Sequence, residues 1–366
     1  MIFIVYGTRA ELIKFSPLIR ELKRRKADFR TVDTGQHENE ALRKSLRLPK
    51  PDFHLGKSYR SKWSNLEASF VTYPMASLLA LIWGLGVFVK LAHILSHGDV
   101  VVTHGNAMGV PLAIYATRFS SKRPKLVHME SGFRGNTKNA RLLDFIYRFA
   151  DRRSDMLFTP FKSTEKNLKS GDIRGKVILS GDVMKDVVRE TLKIKPKNRK
   201  PKGDYLVANI TRSVVDRHDA KQLLHALSDS PIDIILIMNP VIKKRIRNFG
   251  LEGLIKSERI IQTPAMEYPD FLHLLKKSRG AVTDSTGVEE ECAVLGKPCI
   301  VTNDFVQIPE LEQSGILKRA GCNYIAVLSC LRKIRYGGWK IKNRNVITGG
   351  SPTKKIVDNI LSLDQR

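Results

Sequence analysis

The chain has 366 residues, 42% of them hydrophobic and 27% charged, with Lys+Arg 63 against Asp+Glu 36 and a formal net charge of +27. That length accommodates two domains with cores of their own, and that apolar content excludes a disordered chain. The four cysteines, Cys292, Cys299, Cys322 and Cys330, form no C-x-x-C and have no histidine-rich partner segment, which reads as a reduced compartment and no zinc site.

In chain order, strand-like runs alternate with amphipathic ones. MIFIVYG meets Arg9 and Glu11 too soon for a signal peptide and reads as a first core strand. A helix follows, with Leu12, Ile13, Leu18, Ile19 and Leu22 near helical spacing. FRTVDTG (29–35), DVVVTHG (99–105), KLVHMESG (125–132), DMLFTP (155–160) and VILSGD (177–182) continue the first half. The basic, proline-bearing stretch 193–204 reads as a linker. The pattern then restarts with YLVANIT (205–211), IDIILIMNP (232–240), RIIQT (259–263), GAVTDS (280–285) and PCIVTND (298–304). Strand, crossover and strand in series predict parallel sheets covered on both faces. The expectation is an α/β protein with two doubly wound, Rossmann-like domains and a cleft between them. Its parts are residues 1–192, the linker 193–204, a second domain 205–345 and a helical tail 346–366.

Residues 70–89 carry no charge and are long enough to span a bilayer, but Pro74, Gly84 and Gly86 interrupt them inside an α/β domain. Two readings stay open there: a core helix, or a helix that dips into one leaflet beside Arg60, Lys62 and Lys90. The basic balance suits a charged soluble surface or an anionic partner. No helix-turn-helix, zinc-finger spacing or aromatic RNP-like strand is present, which argues against nucleic acid.

Three strand ends carry candidate chemistry. In GTRAELIK (7–14), Gly7 permits a tight turn, the amides of the next helix can face an anion, and Arg9 and Lys14 add charge aimed at phosphate. In HMESGFR (128–134), His128, Glu130 and Arg134 gather titratable groups. Burial that raised its pKa would suit Glu130 to acid–base work, whereas a Glu130–Arg134 ion pair is the structural alternative. In TDSTGVEEECAVLGKP (283–298), a strand, a turn and a helix bring Ser285, Thr286, Gly287 and free amides to one place. Glu291 is placed to accept hydrogen bonds from ribose hydroxyls. Acid early in a helix suits the dipole, which accounts for Glu289 and Glu290 without a ligand.

These motifs, with TGQH (34–37), HGN (104–106), SGD (180–182), IMNP (237–240) and the PE of IPELEQSG (308–315), resemble the non-hydrolysing UDP-N-acetylglucosamine 2-epimerases. The resemblance runs to about residue 320. It implies the two-domain GT-B fold and a UDP-sugar substrate. By the same resemblance the reaction eliminates UDP to a glycal and re-adds it with inverted C2. Ser285, Thr286 and Gly287 would then hold phosphate, Glu291 ribose, and Arg9 and Lys14 would match the family's arginine and lysine. The family's GDT aspartate is Asn106 here, and an amide takes no proton at neutral pH. The histidine of its HRREN-like motif falls on Thr211, followed by Arg212. With one gap, Asp144 replaces a family glutamate and Arg148 its arginine, on one helix face. Glu130 is retained. The expected catalytic set is Glu130, Asp144, Arg148 and Lys14. The expected UDP-sugar-binding set is Arg9, Asn106, Arg134, Thr211, Arg212, Ser285, Thr286, Gly287 and Glu291. No metal and no cofactor are expected. The alternatives are a membrane-associated GT-B glycosyltransferase with a lipid-linked acceptor, for which Glu130 would be the base, and a non-catalytic UDP-sugar binder. The expected protein is cytoplasmic, with peripheral contact at the inner membrane face left open, and the resemblance suggests a homodimer.

Overall fold

The computed structural model describes residues 1–56, 74–120, 123–134, 141–197, 201, 203–211, 213–214, 216–303, 307–347 and 349–364, with side chains undescribed at 74–81, 141–143 and 364. It forms two compact units, Met1–Val187 with Gly349–Arg366, and Val188–Thr348.

The first unit runs β1 (Ile2–Tyr6), α1 (Arg9–Arg24), β2 (Phe29–Asp33), α2 (Glu40–Ser45), β3 (Phe53–His54), α3 (Pro74–Ile94), β4 (Val100–His104) and α4 (Gly109–Phe119). It continues with β5 (Lys125–Met129), α5 (Arg141–Arg153), β6 (Met156–Thr159), α6 (Lys162–Lys169) and β7 (Lys176–Leu179), and α7 (Met184–Thr191) carries the boundary between the units. Its seven strands lie in the order β3-β2-β1-β4-β5-β6-β7. They pair in parallel throughout. β1 and β4 are buried at every position, so they read as continuous apolar runs rather than alternating ones.

The second unit contains β8 (Tyr205–Asn209), α8 (Arg217–Ser228), β9 (Asp233–Met238), α9 (Pro240–Asn248), β10 (Ile260–Pro264) and α10 (Tyr268–Lys277). Then come β11 (Ala281–Thr283), α11 (Thr286–Leu295), β12 (Cys299–Val301), α12 (Pro309–Gln313), β13 (Leu317–Arg319) and α13 (Tyr324–Arg335). The order is β10-β9-β8-β11-β12-β13, again parallel. The last helix, α14 (Pro352–Asp364), belongs to the first unit and packs on α1. Asp186 accepts there from Ser351 Oγ at 2.7 Å and from the Thr353 amide at 3.0 Å.

In both sheets the strand order reverses once, between β1 and β4 and between β8 and β11. A ligand crevice forms outside the carboxyl ends of strands at such a reversal. The fold therefore points to the loops after Tyr6, His104, Asn209 and Thr283.

Several local expectations are revised. Gly84 and Gly86 do not interrupt α3, which is continuous over Pro74–Ile94. A Cβ on Gly84 would lie 3.5 Å from Leu112 of α4, so glycine allows close helix packing there. Val87, Leu91 and Leu95 are buried while Ile82, Leu85 and Val89 are exposed, so the helix is half core and half surface. Arg60 and Lys62 lie outside the described residues. Among the described residues no helix is long and apolar enough to cross a membrane. In the linker, the Lys197 amide donates to Asp270 at 2.7 Å, which ties this part of the stretch to α10.

Candidate active site

At the end of β1 the chain turns through Gly7 and Thr8 into α1. Thr8 and Glu11 form a capping box. Glu11 Oε2 accepts from the amides of Gly7 (2.9 Å) and Thr8 (2.8 Å) and from Thr8 Oγ1 (2.9 Å). Those two amides precede the helix, so the turn into α1 carries its own carboxylate. Burial pushes Glu11 up to about 7 against these donors. Gly7 is demanded by packing, because a Cβ would sit 2.1 Å from Thr34 Oγ1. Arg9 stands exposed in the first turn, whereas Lys14, just over a turn further on, is buried.

Lys14 Nζ forms an ion pair with Glu130 Oε1, and His104 Nε2 lies 3.4 Å from Glu130 Oε2. Glu130 follows β5 with φ 57, a left-handed conformation that costs a non-glycine residue about 1–2 kcal/mol. Strain of this kind concentrates where function over-determines the backbone. His104 is held neutral by burial first and by the Lys14 charge second. The ring of Phe15 meets it edge-on at 5.5 Å. Asp182, after β7, is also buried and accepts from the Met184 amide at 2.8 Å. Burial raises its pKa, and the Lys14 charge opposes that rise. Lys14 thus serves two carboxylates, Glu130 and Asp182.

The other members of the first-unit set divide. His128 points into the core. Its Nδ1 lies 2.9 Å from Thr103 Oγ1, and burial lowers its pKa to about 3. Arg134 does not pair with Glu130: it donates to Asp151 of α5 at 2.6 Å, in a buried pair whose acid is nonetheless pushed up to about 6 by burial. Asp144 and Arg148 meet on one face of α5, as their spacing predicts, with Arg148 Nε donating to Asp144 at 2.6 Å. Asn106 is half-buried directly after Gly105, whose added Cβ would lie 3.6 Å from Glu130 Oε2.

In the second unit, Ser285 is the N-cap of α11, and its side chain makes no capping hydrogen bond. The first amides of this helix, at Thr286 and Gly287, have no intrahelical acceptor by geometry. Thr286 Oγ1 donates to Gln307 at 2.9 Å. Asp284 accepts from the amides of Thr211 (2.8 Å) and Ser213 (2.7 Å), joining the loops after β8 and β11. Asn239 Nδ2 donates to Thr211 Oγ1 at 3.1 Å. Arg212 lies outside the described residues.

All three glutamates of the run are buried, with Glu289 in the first turn of α11 as the dipole favours. Burial raises Glu289 to about 7, with Arg319 opposing the rise. Glu291 accepts from the Tyr268 hydroxyl at 2.8 Å, which orients it.

His104, Asp182, Asp284, Tyr268 and Gln307 are absent from the sequence-derived set. The first two sit inside the HGN and SGD strand ends, and strand-end position was the signal that could have found them. Tyr268 and Gln307 come from segments with no local mark.

Two doubly wound parallel sheets, each with polar groups gathered where its strand order reverses, define the GT-B class of fold. A UDP-N-acetylglucosamine 2-epimerase family model matches residues 20–361. A UDP-N-acetylglucosamine 2-epimerase of Methanocaldococcus jannaschii is 29% identical over 85% of this chain and 86% of its own. One of Methanococcus maripaludis is 27% identical over 98% and 97%. The solved structure of the M. jannaschii enzyme in complex with UDP-GlcNAc and UDP superposes with a TM-score of 0.80 at 23% identity, covering 99% of both chains. A plant UDP-glucosyltransferase from Polygonum tinctorium shares the fold alone, with a TM-score of 0.62 at 11% identity. The chain belongs to the UDP-N-acetylglucosamine 2-epimerase family.

Proposed function

We propose that this protein interconverts UDP-N-acetylglucosamine and UDP-N-acetylmannosamine. The C2 proton and UDP depart in an anti elimination, and UDP re-adds to the glycal as C2 takes a proton on the opposite face. The observation that carries this reading is Glu130, half-buried and strained, with its carboxylate between Lys14 and neutral His104. Glu130 takes and returns a proton, with His104 in reach as relay. Lys14 balances the carboxylate's charge. In the second unit, the Thr286 and Gly287 amides and the Ser285 hydroxyl hold phosphate, and Glu291 takes ribose hydroxyls. Asn106 supplies a hydrogen bond where the family has an acid. Asp144 and Arg148 act as a pair, and Arg9, Arg134, Thr211 and Arg212 complete the proposed UDP-sugar contacts. A glycosyltransferase would use the same fold, but the family match carries the epimerase reading further.

Incubation with UDP-N-acetylglucosamine in deuterated water, followed by proton NMR, tests the reading. Deuterium at C2 with a UDP-N-acetylmannosamine signal is expected. UDP binding without exchange would refute it.

A separate proposal concerns partners. Ile82, Leu85 and Val89 of α3, Phe119 of α4 and Phe145 of α5 are exposed on three helices that pack in sequence. Lys90, Arg118, Arg148, Arg152 and Arg153 are exposed on the same helices. Exposed apolar groups with cations on the same helices would fit an anionic membrane surface, whereas two copies each carrying +27 repel. Flotation with anionic but not neutral vesicles is expected. A dimer by sedimentation, without flotation, would assign the face to a second copy.

A further inference from the structure

Arg279, Lys297 and Arg344 line a cavity of about 360 Å³ in the second unit, with Leu295, Ile334 and Trp339 among its apolar walls. Arg279 stands two residues before β11, and Lys297 two residues before β12. The cavity is therefore at the amino ends of these strands. Ser285 lies beyond the carboxyl end of β11, roughly 20 Å away at about 3.3 Å per residue.

Among the described residues none of the three cations has an acidic partner within ion-pair distance. Two of them are nevertheless positioned. Lys297 Nζ donates to the Ser278 carbonyl at 2.7 Å, and Arg344 Nη1 to the Gly296 carbonyl at 3.4 Å. An ammonium has three donors and a guanidinium five, so most of their capacity is left over. The walls are held as well: Trp339 Nε1 donates to the Gly315 carbonyl at 2.9 Å, and Lys318 sits 4.7 Å over its ring. Burial, and then the charges of Arg279 and Arg344, lower the pKa of Lys297. Like charges so gathered repel one another, and a bound anion relieves that repulsion.

We infer that this cavity is a second ligand site, distinct from the strand ends described above, that takes a small organic phosphate. The guanidinium groups match phosphate oxygens bidentately. The apolar walls distinguish an organic ester from bare phosphate. The volume lies within the range of small-molecule pockets.

Phenyl phosphate carries both features and serves as the probe, titrated calorimetrically into the full chain beside inorganic phosphate. Saturable binding of phenyl phosphate is expected, about tenfold tighter than inorganic phosphate. The Arg279→Ala/Arg344→Ala variant should weaken it by about tenfold or more. Both side chains are exposed, so an unchanged melting temperature accompanies that loss. Ser285→Ala, at the opposite end of β11, should leave it unaltered. Absence of binding, binding indifferent to the double variant, binding lost with Ser285→Ala, or equal affinity for inorganic phosphate would each overturn the inference. The readout is binding and not turnover, so it stands apart from the outcome of the deuterium experiment.

Discussion

Lys14→Met keeps the aliphatic stem and removes the ammonium that pairs with Glu130. Both side chains are largely buried, at 8% and 12% exposure, so Glu130 cannot regain full hydration by turning outward. Removing one partner of such a pair costs about 3–5 kcal/mol. The stranded carboxylate has an escape, which is to take a proton. At pH 7 that costs about 1.36 × (7 − 4.3), or roughly 4 kcal/mol, and at pH 5 only about 1 kcal/mol, because an ordinary glutamate titrates near 4.3. A carboxylate left buried without its cation takes a proton more readily than one in the unfolded chain, so protons favour the folded variant as pH falls from about 7 to about 5. The variant therefore loses stability relative to wild type as pH rises through that window. For a domain of this size, 1 kcal/mol moves the melting temperature by about 2–4 °C. The expected deficit is roughly 8–16 °C at pH 7, shrinking to about 2–4 °C at pH 5, read by calorimetry. An equal deficit at both pH values, or none, would refute the claim that Lys14 is there to hold a buried carboxylate.

Asn106→Asp restores a proton-transfer group at the loop beside Glu130, and the rate of C2 deuterium exchange should rise by about tenfold or more. Tyr268→Phe removes the hydroxyl that orients Glu291, so UDP affinity by calorimetry should fall by about 3–10-fold with little change in fold. His128 stays neutral in the folded protein down to about pH 3, whereas the unfolded chain takes a proton near 6.5. Wild type therefore loses about 2 kcal/mol from this group between pH 6.5 and 5. His128→Asn lacks that group, so the gap between variant and wild type in unfolding free energy, from urea titrations, should narrow by that amount on acidification.

The long strands were legible because burial on both faces makes them runs of Val, Ile and Leu bounded by Gly or polar residues. β3 and β13, two and three residues long, carry no such period and went unread. Strand ends also disclosed Glu130, Ser285 and Thr286, because parallel topology alone sends them to the ligand edge. Their partners were not legible. Arg134 reaches Asp151 on the next helix instead of the glutamate four residues back, a choice made by how α5 packs against the loop. Glu11 had no site role in the sequence reading, yet the turn at Gly7 brings two amides onto it. The burial of Glu289 and Glu290 depends on what covers α11, which no local pattern records.

The return of α14 to the first unit has a consequence for synthesis. A ribosome that has emitted Met1–Val187 has delivered all seven strands of that sheet but not the helix that covers α1. Nor has it delivered Ser351 and Thr353, the donors to buried Asp186. The whole second unit must be translated first, roughly 8–32 s at about 5–20 residues per second. The usual vectorial order is thereby inverted: the later-made unit can close while the earlier one waits, its apolar α1 surface open to chaperones until residues 352–364 leave the exit tunnel.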